Sequence, residues 1–565
     1  MDVRNRALDW IAGDPDPTTR DELRALVDAG NDSLLAERMA GPHRFGTAGI
    51  RGAVEAGDAR MNRATIIRAT AGLADSLAER FGSGLVVVGF DARLSSERFA
   101  QDTIGVLLAA GFTVRYFVEP TPTPIVAYAG KIYDAVATVI VTASHNPPKD
   151  NGYKVYDANA AQIVPPIDTH IADAIDRVGA ANEVPRTEVD LHGPPEGAAA
   201  IGPELLEAYW ADVAAERPVV HGAPVRIVTT PLHGVGGAPV VDVLGRGGHT
   251  DVHPVPEQFI PDGHFPTVSF PNPEEPGALD LATALASEIG ADVVLANDPD
   301  VDRLAVSLPT ADGWRNLTGN QIGVLLADHV LSHWDRPERP MVANSIVSSP
   351  MLFDVASAYG AHCEQTLTGF KWICNAALDL ERDEGLRFAM GFEEAIGYSV
   401  GPVVRDKDGI SAALVFADLV GAAKADGRTA WDLLADLATR HGLWVSAQYS
   451  VVRPGTEGAA EIAAAMARLA TEQPGELVGK AVTGSLDYRE GADSRPRWLT
   501  STPLVALTID GGRVLIRPSG TEPKLKIYVD LRAPFDAGGD FLDQEAARTE
   551  EAAEIAAAMG AWLGF

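Results

Sequence analysis

The sequence predicts an α/β protein: three similar α/β domains with mixed sheets, followed by a C-terminal α+β domain. Three observations carry this. Apolar, β-branched runs of strand length alternate with helical segments, the rhythm of βαβ units. That cycle restarts twice, at Val225-Arg226-Ile227-Val228-Thr229-Thr230 and at Pro340-Met341-Val342-Ala343-Asn344-Ser345-Ile346-Val347. The last part differs, with a strand-rich stretch around 500–531 set between Ala/Glu-rich helices. A length of 565 residues fits three or four domains.

Composition narrows the function classes. Hydrophobic residues make up 46% and charged residues 22%, as in a well-packed soluble protein. No apolar run of about 18 residues suggests a membrane span, and no apolar core follows Met1-Asp2-Val3-Arg4-Asn5-Arg6 as in a signal peptide. Cys363 and Cys374 are too few for a disulfide framework or a structural zinc site, so the chain reads as cytoplasmic. The net charge of −32 argues against nucleic acid and anionic lipid as partners. It also repels phosphorylated small molecules, so any phosphate site must be a local basic island. The sequence carries no signal of oligomeric state.

Taken in order, residues 1–40 have a helical pattern broken at Asp14-Pro15-Asp16-Pro17, with a capped start near Thr18-Thr19. A glycine-punctuated loop, Phe45-Gly46-Thr47-Ala48-Gly49-Ile50-Arg51-Gly52, ends in a basic residue. Gly84–Phe90 and Thr113–Phe117 read as strands, with Asp91-Ala92-Arg93-Leu94-Ser95-Ser96 leading into a helix. Ala135–Val141 reads as a buried parallel strand. Its carboxyl end delivers Ser144 to a loop, the place where open α/β sheets usually bind ligands. Pro147-Pro148 and Asn151-Gly152 predict a stiff, exposed turn there, with His145, Lys149 and Lys154 supplying donors and positive charge. That suits a serine carrying a phosphoryl group better than one attacking a carbonyl, for which Gly-x-Ser-x-Gly is expected. An ordinary βα loop is the alternative. The boundaries expected are 1–202, 203–325, 326–445 and 446–565.

Later stretches add further chemistry. Asp298-Pro299-Asp300-Val301-Asp302-Arg303 follows the strand Ala291–Asn297 and precedes another at Leu304–Ser307. Three clustered carboxylates repel one another unless they converge on a hard divalent cation, Mg²⁺ or Ca²⁺; an acidic hairpin tip in water is the alternative. An EF-hand fails, because Arg303 replaces the required Gly and Pro309 the bidentate Glu. Glu393 and Glu394 sit between glycines after the strand-like Arg387–Met390, and carboxylates suit sugar hydroxyls. Arg517-Pro518-Ser519-Gly520-Thr521-Glu522-Pro523-Lys524 combines Arg, hydroxyls and glycine-exposed N–H groups as a phosphate nest, without Walker spacing.

The string Thr142-Ala143-Ser144-His145-Asn146-Pro147-Pro148-Lys149-Asp150-Asn151-Gly152-Tyr153-Lys154 resembles the active-site serine loop of the α-D-phosphohexomutases, the phosphoglucomutases and phosphomannomutases. Four further loops resemble that family in the same order. The resemblance implies four domains around a central cleft and a serine, Ser144, that is phosphorylated in the working enzyme. It implies that Arg51 reaches the active site, and that Asp298, Asp300, Asp302 and the phosphoserine share one Mg²⁺, with Arg303 and Lys154 offsetting charge. Lys407, in Arg405-Asp406-Lys407-Asp408-Gly409, matches a lysine near the transferred group; it joins His145, Lys154 and Arg51 as candidate acid–base or charge-stabilising groups. Thr368, Gly369 and Lys371 match a substrate-facing loop, although Lys371 also reads as a surface lysine packed on Trp372. Glu393 and Ala395 fall at the Glu and Ser positions of the sugar loop, so one hydroxyl contact is lost or moved. Glu-Glu-Ala-Ile-Gly-Tyr looks more like the longer subgroup that includes phosphopentomutase-type members. Arg517, Ser519, Gly520, Thr521 and Lys524 match the phosphate-binding loop. The activity implied is phosphoryl transfer through a sugar bisphosphate, with glucose phosphates first and mannose or pentose phosphates as alternatives. A sugar phosphatase and a non-catalytic phosphosugar sensor are the rival classes.

Overall fold

The computed structural model describes every residue except Met1, Arg44, Thr47, Ala48 and 520–523, together with the side chain of Thr456. The chain forms two compact units, the first comprising Met1–Arg217, Pro224–Asn316 and Gly397–Ala417, and the second Pro218–Ala223, Leu317–Ile396 and Asp418–Phe565.

The first unit opens with helices Val3–Gly13, Pro17–Asp28 and Asp32–Arg38, whose Ala7, Ile11, Leu23, Val27 and Leu35 make a small core of their own. The break at 14–17 becomes a cap: the Asp16 carboxylate accepts from Thr18 N. A six-stranded mixed sheet follows in the spatial order Ile50–Ala53, Asp150–Asp157, Ala137–Val141, Leu85–Phe90, Thr113–Tyr116, Ala198–Ala200. Leu85–Phe90 is central and runs parallel to both neighbours, which explains why it reads as a continuous apolar run. Asp150–Asp157 returns antiparallel along Ala137–Val141, so the Ser144 loop joins two adjacent strands. The second sheet has the order Gly313–Asn316, Ala305–Thr310, Val293–Ala296, Ile227–Thr230, Val252–Pro254. There too the acidic loop joins neighbouring antiparallel strands, Val293–Ala296 and Ala305–Thr310.

In the second unit, Pro340–Ser345 lies parallel between His362–Thr366 and Arg387–Glu393. The last sheet is antiparallel, in the order Leu443–Val452, Lys524–Ala533, Gly512–Pro518, Val505–Ile509, Lys480–Asp487, Glu476–Leu477. Its Val445, Ile527 and Val529 share one core with Ile462 and Leu469 of helix Gly455–Thr471 and Ile555 and Met559 of helix Phe541–Leu563. The α/β reading with an α+β C-terminal region therefore holds. Among the described residues no helix is long and apolar enough to cross a membrane.

Candidate active site

The first unit gathers Ser144, His145, Arg51, Lys154, Lys407, the three aspartates and Arg303. Ser144 is not the exposed residue expected: it is only 2% accessible, at a φ of 51° that a side-chain-bearing residue seldom adopts. The turn residues do bend the chain, but the loop folds inward because its polar groups find partners there. Ser144 Oγ donates to Asp298 Oδ2 at 2.6 Å and lies 3.1 Å from His145 Nδ1. Ser144 N donates to Thr142 Oγ1 at 2.8 Å.

Asp298, Asp300 and Asp302 are fully buried, with ligand oxygens all within 4.8 Å of one another. The loop is held by Val301 N donating to Asp298 O and by Val301 O accepting from Gly409 N, both at 3.0 Å, with Val301 itself at a φ of 66°. A side chain at 409 would bring its Cβ 2.3 Å from Arg303 O, so glycine permits this close approach. Lys154, expected to flank the serine, is buried with Nζ 2.7 Å from Asp300 Oδ2 and 2.9 Å from Asp302 Oδ2. Lys407 Nζ lies 3.3 Å from Asp302 Oδ2, and Thr123 Oγ1 donates to Asp300 Oδ2 at 2.7 Å. Arg303 turns partly away, with Nη1 3.5 Å from Glu274 and Nε 3.9 Å from Asp302 Oδ1.

The electrostatics follow from burial and charge. Burial and the charges of Asp300 and Asp302 hold Asp298 well above the usual carboxylate range. Burial also acts on Asp302, but Lys154, Lys407 and Arg303 outweigh it and keep that group ionised. Burial, with Arg303 and Arg51, pushes His145 well below its ordinary value, so the imidazole is neutral near pH 7. The positive charge expected of His145 therefore comes from Lys154, Lys407 and the arginines. Asp300 Oδ1 and Asp302 Oδ1 are buried with no hydrogen-bond partner among the described residues. Two such oxygens in an all-carboxylate donor set fit a hard divalent cation.

Lys407 is itself positioned by its neighbours. Asp406 Oδ1 accepts from Lys407 N at 2.8 Å, and Asp406 Oδ2 accepts from Gln162 Nε2 at 2.8 Å and from the Tyr156 hydroxyl. Asp408 caps helix Gly409–Ala425, accepting from Ile410 N at 3.0 Å and, through Oδ2, from the Tyr209 hydroxyl at 2.7 Å. Arg51 sits on strand Ile50–Ala53 opposite Gly152, beside the serine loop.

The second unit carries the remaining candidates. Strand Arg387–Glu393 runs further than the sequence implied and ends on Glu393, whose Oε1 accepts from Gly369 N at 2.7 Å. Glu394 Oε2 accepts from Ser345 Oγ and Ser348 Oγ, each at 3.1 Å. Lys371, read as a possible surface residue, is buried together with Trp372 at the start of helix Phe370–Glu384. Arg517 donates to Thr368 Oγ1, joining the phosphate-loop arginine to the substrate-facing loop. Ser519 N donates to Lys524 O at 2.7 Å, and Ala395 is half-buried beside Ile396. Gly520 and Thr521 lie outside the described residues.

Sequence reasoning passed over Asp91, Arg93 and Thr142. Arg93 is 3% accessible, and its guanidinium donates to Ser144 O and Asn146 O at 2.6 Å, Pro147 O at 2.7 Å and Asp150 O at 2.8 Å. The available signal was an Asp and an Arg placed directly after a buried central strand.

Known proteins resemble the chain along most of its length. Models of the phosphoglucomutase/phosphomannomutase alpha/beta/alpha domains I, II and III match residues 42–182, 207–311 and 318–441, and the model of the C-terminal domain matches 459–548. A probable phosphomannomutase of Haemophilus influenzae is 41% identical over 84% of this chain and 94% of its own length. A phosphopentomutase of Mus musculus is 35% identical over 94% and 91% respectively. A glucose 1,6-bisphosphate synthase of Homo sapiens is 33% identical over 95% and 91%. In fold, the chain is similar to a putative phosphomannomutase from Thermus thermophilus, with a TM-score of 0.64, 24% identity and coverage of 90% of this chain and 99% of that one. It is also similar to the open form of parafusin, a phosphoglucomutase from Paramecium, with a TM-score of 0.66, 18% identity and coverage of 92% and 96%. With its four domain matches and full-length relatives, the chain belongs to the phosphoglucomutase/phosphomannomutase family of phosphomutases, which are intramolecular phosphotransferases.

Proposed function

We propose that this protein is a phosphosugar mutase working through a phosphoserine at Ser144. The observation that carries the reading is the contact of Ser144 Oγ with Asp298 inside a buried three-aspartate centre ringed by Lys154 and Lys407. In the first transfer the phosphorus–Oγ bond breaks while a sugar hydroxyl oxygen bonds phosphorus, giving a sugar bisphosphate. In the second, Ser144 Oγ takes up the other phosphate and the isomerised monophosphate leaves. Asp298, Asp300 and Asp302 would hold Mg²⁺, which when bound supplies charge neutralisation at the phosphoryl oxygens. Lys154, Lys407 and Arg51 add positive charge that a phosphoryl group requires on so acidic a chain. His145 Nδ1 lies within reach of Ser144 Oγ, as the acceptor for the hydroxyl proton when that oxygen takes up phosphate. Glu393 would hold the sugar hydroxyls, and Arg517 with its loop the phosphate that is not reacting.

For the sugar, we place a pentose 1- and 5-phosphate pair first. Ala395 removes one hydroxyl partner from the sugar loop, which suits a ring with fewer hydroxyls, and the phosphopentomutase of Mus musculus shares 35% identity across 94% of the chain. The glucose 1- and 6-phosphate pair is the second reading, supported by the likeness to a human glucose 1,6-bisphosphate synthase. Phosphorus NMR of the Mg²⁺-supplied phosphoprotein with ribose, glucose and mannose 1-phosphates tests both. The expected result is movement of the signal to the 5- or 6-phosphate, absent in Ser144→Ala. Release of inorganic phosphate alone would make the protein a phosphatase, and no change with any sugar would overturn the reading.

A further inference from the structure

We infer that the buried Asp91–Arg93 pair is the positioning device of the phosphoryl-carrying serine, gripping its peptide units from both sides; the inference rests on the reading of Ser144 as that carrier. On the carbonyl side, the Arg93 guanidinium is the shared donor to the four carbonyls of Ser144, Asn146, Pro147 and Asp150, at 2.6 to 2.8 Å. On the amide side, Asp91 Oδ2 accepts from Thr142 Oγ1 at 2.6 Å, and the same Thr142 oxygen accepts from Ser144 N. Asp91 Oδ1 is fixed by Ser96 Oγ at 2.6 Å and Arg93 N at 3.0 Å. The pair is itself in contact, with Arg93 Nε 3.4 Å from Asp91 Oδ2, and Phe265 lies beneath the guanidinium with its ring centroid 5.3 Å away.

Ser144 needs such a device. Its left-handed backbone is strained, and a serine held there relaxes to the ordinary β or α region unless its neighbours over-determine it. Relaxation swings Oγ away from Asp298 and from the line along which a phosphoryl group must pass. Only a planar five-donor group serves four converging carbonyls at once, so lysine with its single ammonium is not an equivalent. The work of Arg93 is therefore to fix the direction of Oγ. It touches no substrate and is a positioning residue.

The test uses the full chain with Arg93→Lys, which keeps the charge, and Thr142→Val, which releases Ser144 N while leaving Arg93 in place. Should the lysine variant fail to fold, the valine variant still decides. The inference expects kcat to fall about 100-fold with KM for the sugar phosphate held within about two-fold. It also expects faster amide hydrogen exchange confined to residues 142–151, with the thermal midpoint of the rest of the chain retained. Faster exchange with unchanged kcat, or unchanged exchange in both variants, would overturn it. So would a fall in kcat that only tracks global loss of fold. If the wild-type chain turns over no sugar phosphate while exchange responds as expected, the functional reading has failed rather than the clamp.

Discussion

Lys154 is the residue on which the buried charge of the site balances. Burial pulls its ammonium toward neutrality, but Asp300 and Asp302 outweigh that and raise its pKa. Lys154→Met would leave two buried carboxylates without their main counter-charge, at a cost of about 3–5 kcal/mol. Urea unfolding in the presence of chelator should show that loss, and millimolar Mg²⁺ should recover part of it. A variant as stable as wild type without metal would contradict this account. His329, in the second unit, gives a pH signature of its own. Burial and the neighbouring His333 bring it down to about 4, against the opposing pull of Asp418 and Asp328. Between its unfolded value of about 6.5 and that folded value, the unfolded chain binds a proton that the folded chain does not, so stability falls as pH falls, by up to about 3 kcal/mol. Unfolding midpoints at pH 7 and pH 4.5 should differ less in His329→Leu than in wild type.

At the level of elements, the site is made by loops that join neighbouring antiparallel strands. The serine loop links Ala137–Val141 to Asp150–Asp157, and the acidic loop links Val293–Ala296 to Ala305–Thr310. Each loop's aim therefore depends on strand registers. The register of Ile50–Ala53 against Asp150–Asp157 places Arg51 opposite Gly152, where a Cβ would lie 2.5 Å from Thr142 O and 2.9 Å from Arg51 Cγ. Gly152→Ala should push the edge strand and the serine loop apart, costing about 1–3 kcal/mol. Because Arg51 and Ser144 move with those elements, turnover should fall more than stability does. Urea midpoints and turnover measured on the same preparation check this, and a fully active variant would sink it.

On the scale of the whole molecule, the chain has two compact units with hydrophobic clusters of their own. Separate cores of this size favour unfolding in more than one step, so calorimetry should resolve at least two transitions. The three aspartates all lie in the first unit, hence Mg²⁺ should raise one transition and leave the other in place. At a hundred times its dissociation constant the stabilisation is about 2.7 kcal/mol. Chelator should reverse it. A uniform shift of both transitions would place the metal's effect elsewhere.

What depends on near neighbours could be read directly along the chain. Hydrophobic runs such as Val139-Ile140-Val141 marked the strands, and Pro147-Pro148 with Asn151-Gly152 marked a turn. The spacing of Asp298, Asp300 and Asp302 marked a centre for a hard cation, and the loop strings carried the family resemblance. These signals are local, because side-chain period and turn chemistry act over a few residues. Tertiary structure decided the rest. Whether Ser144 is exposed, whether His145 is charged, what Lys154 balances and what Arg93 holds are set by distant partners and by the water that packing removes. Ser144 itself meets Arg93 and Asp298 from 51 and 154 positions away. Desolvation and long-range hydrogen bonding exist only once the sheets have assembled. A conventional turn motif therefore became a buried, strained serine, and an arginine read only as part of a lead-in to a helix became the group that holds its loop.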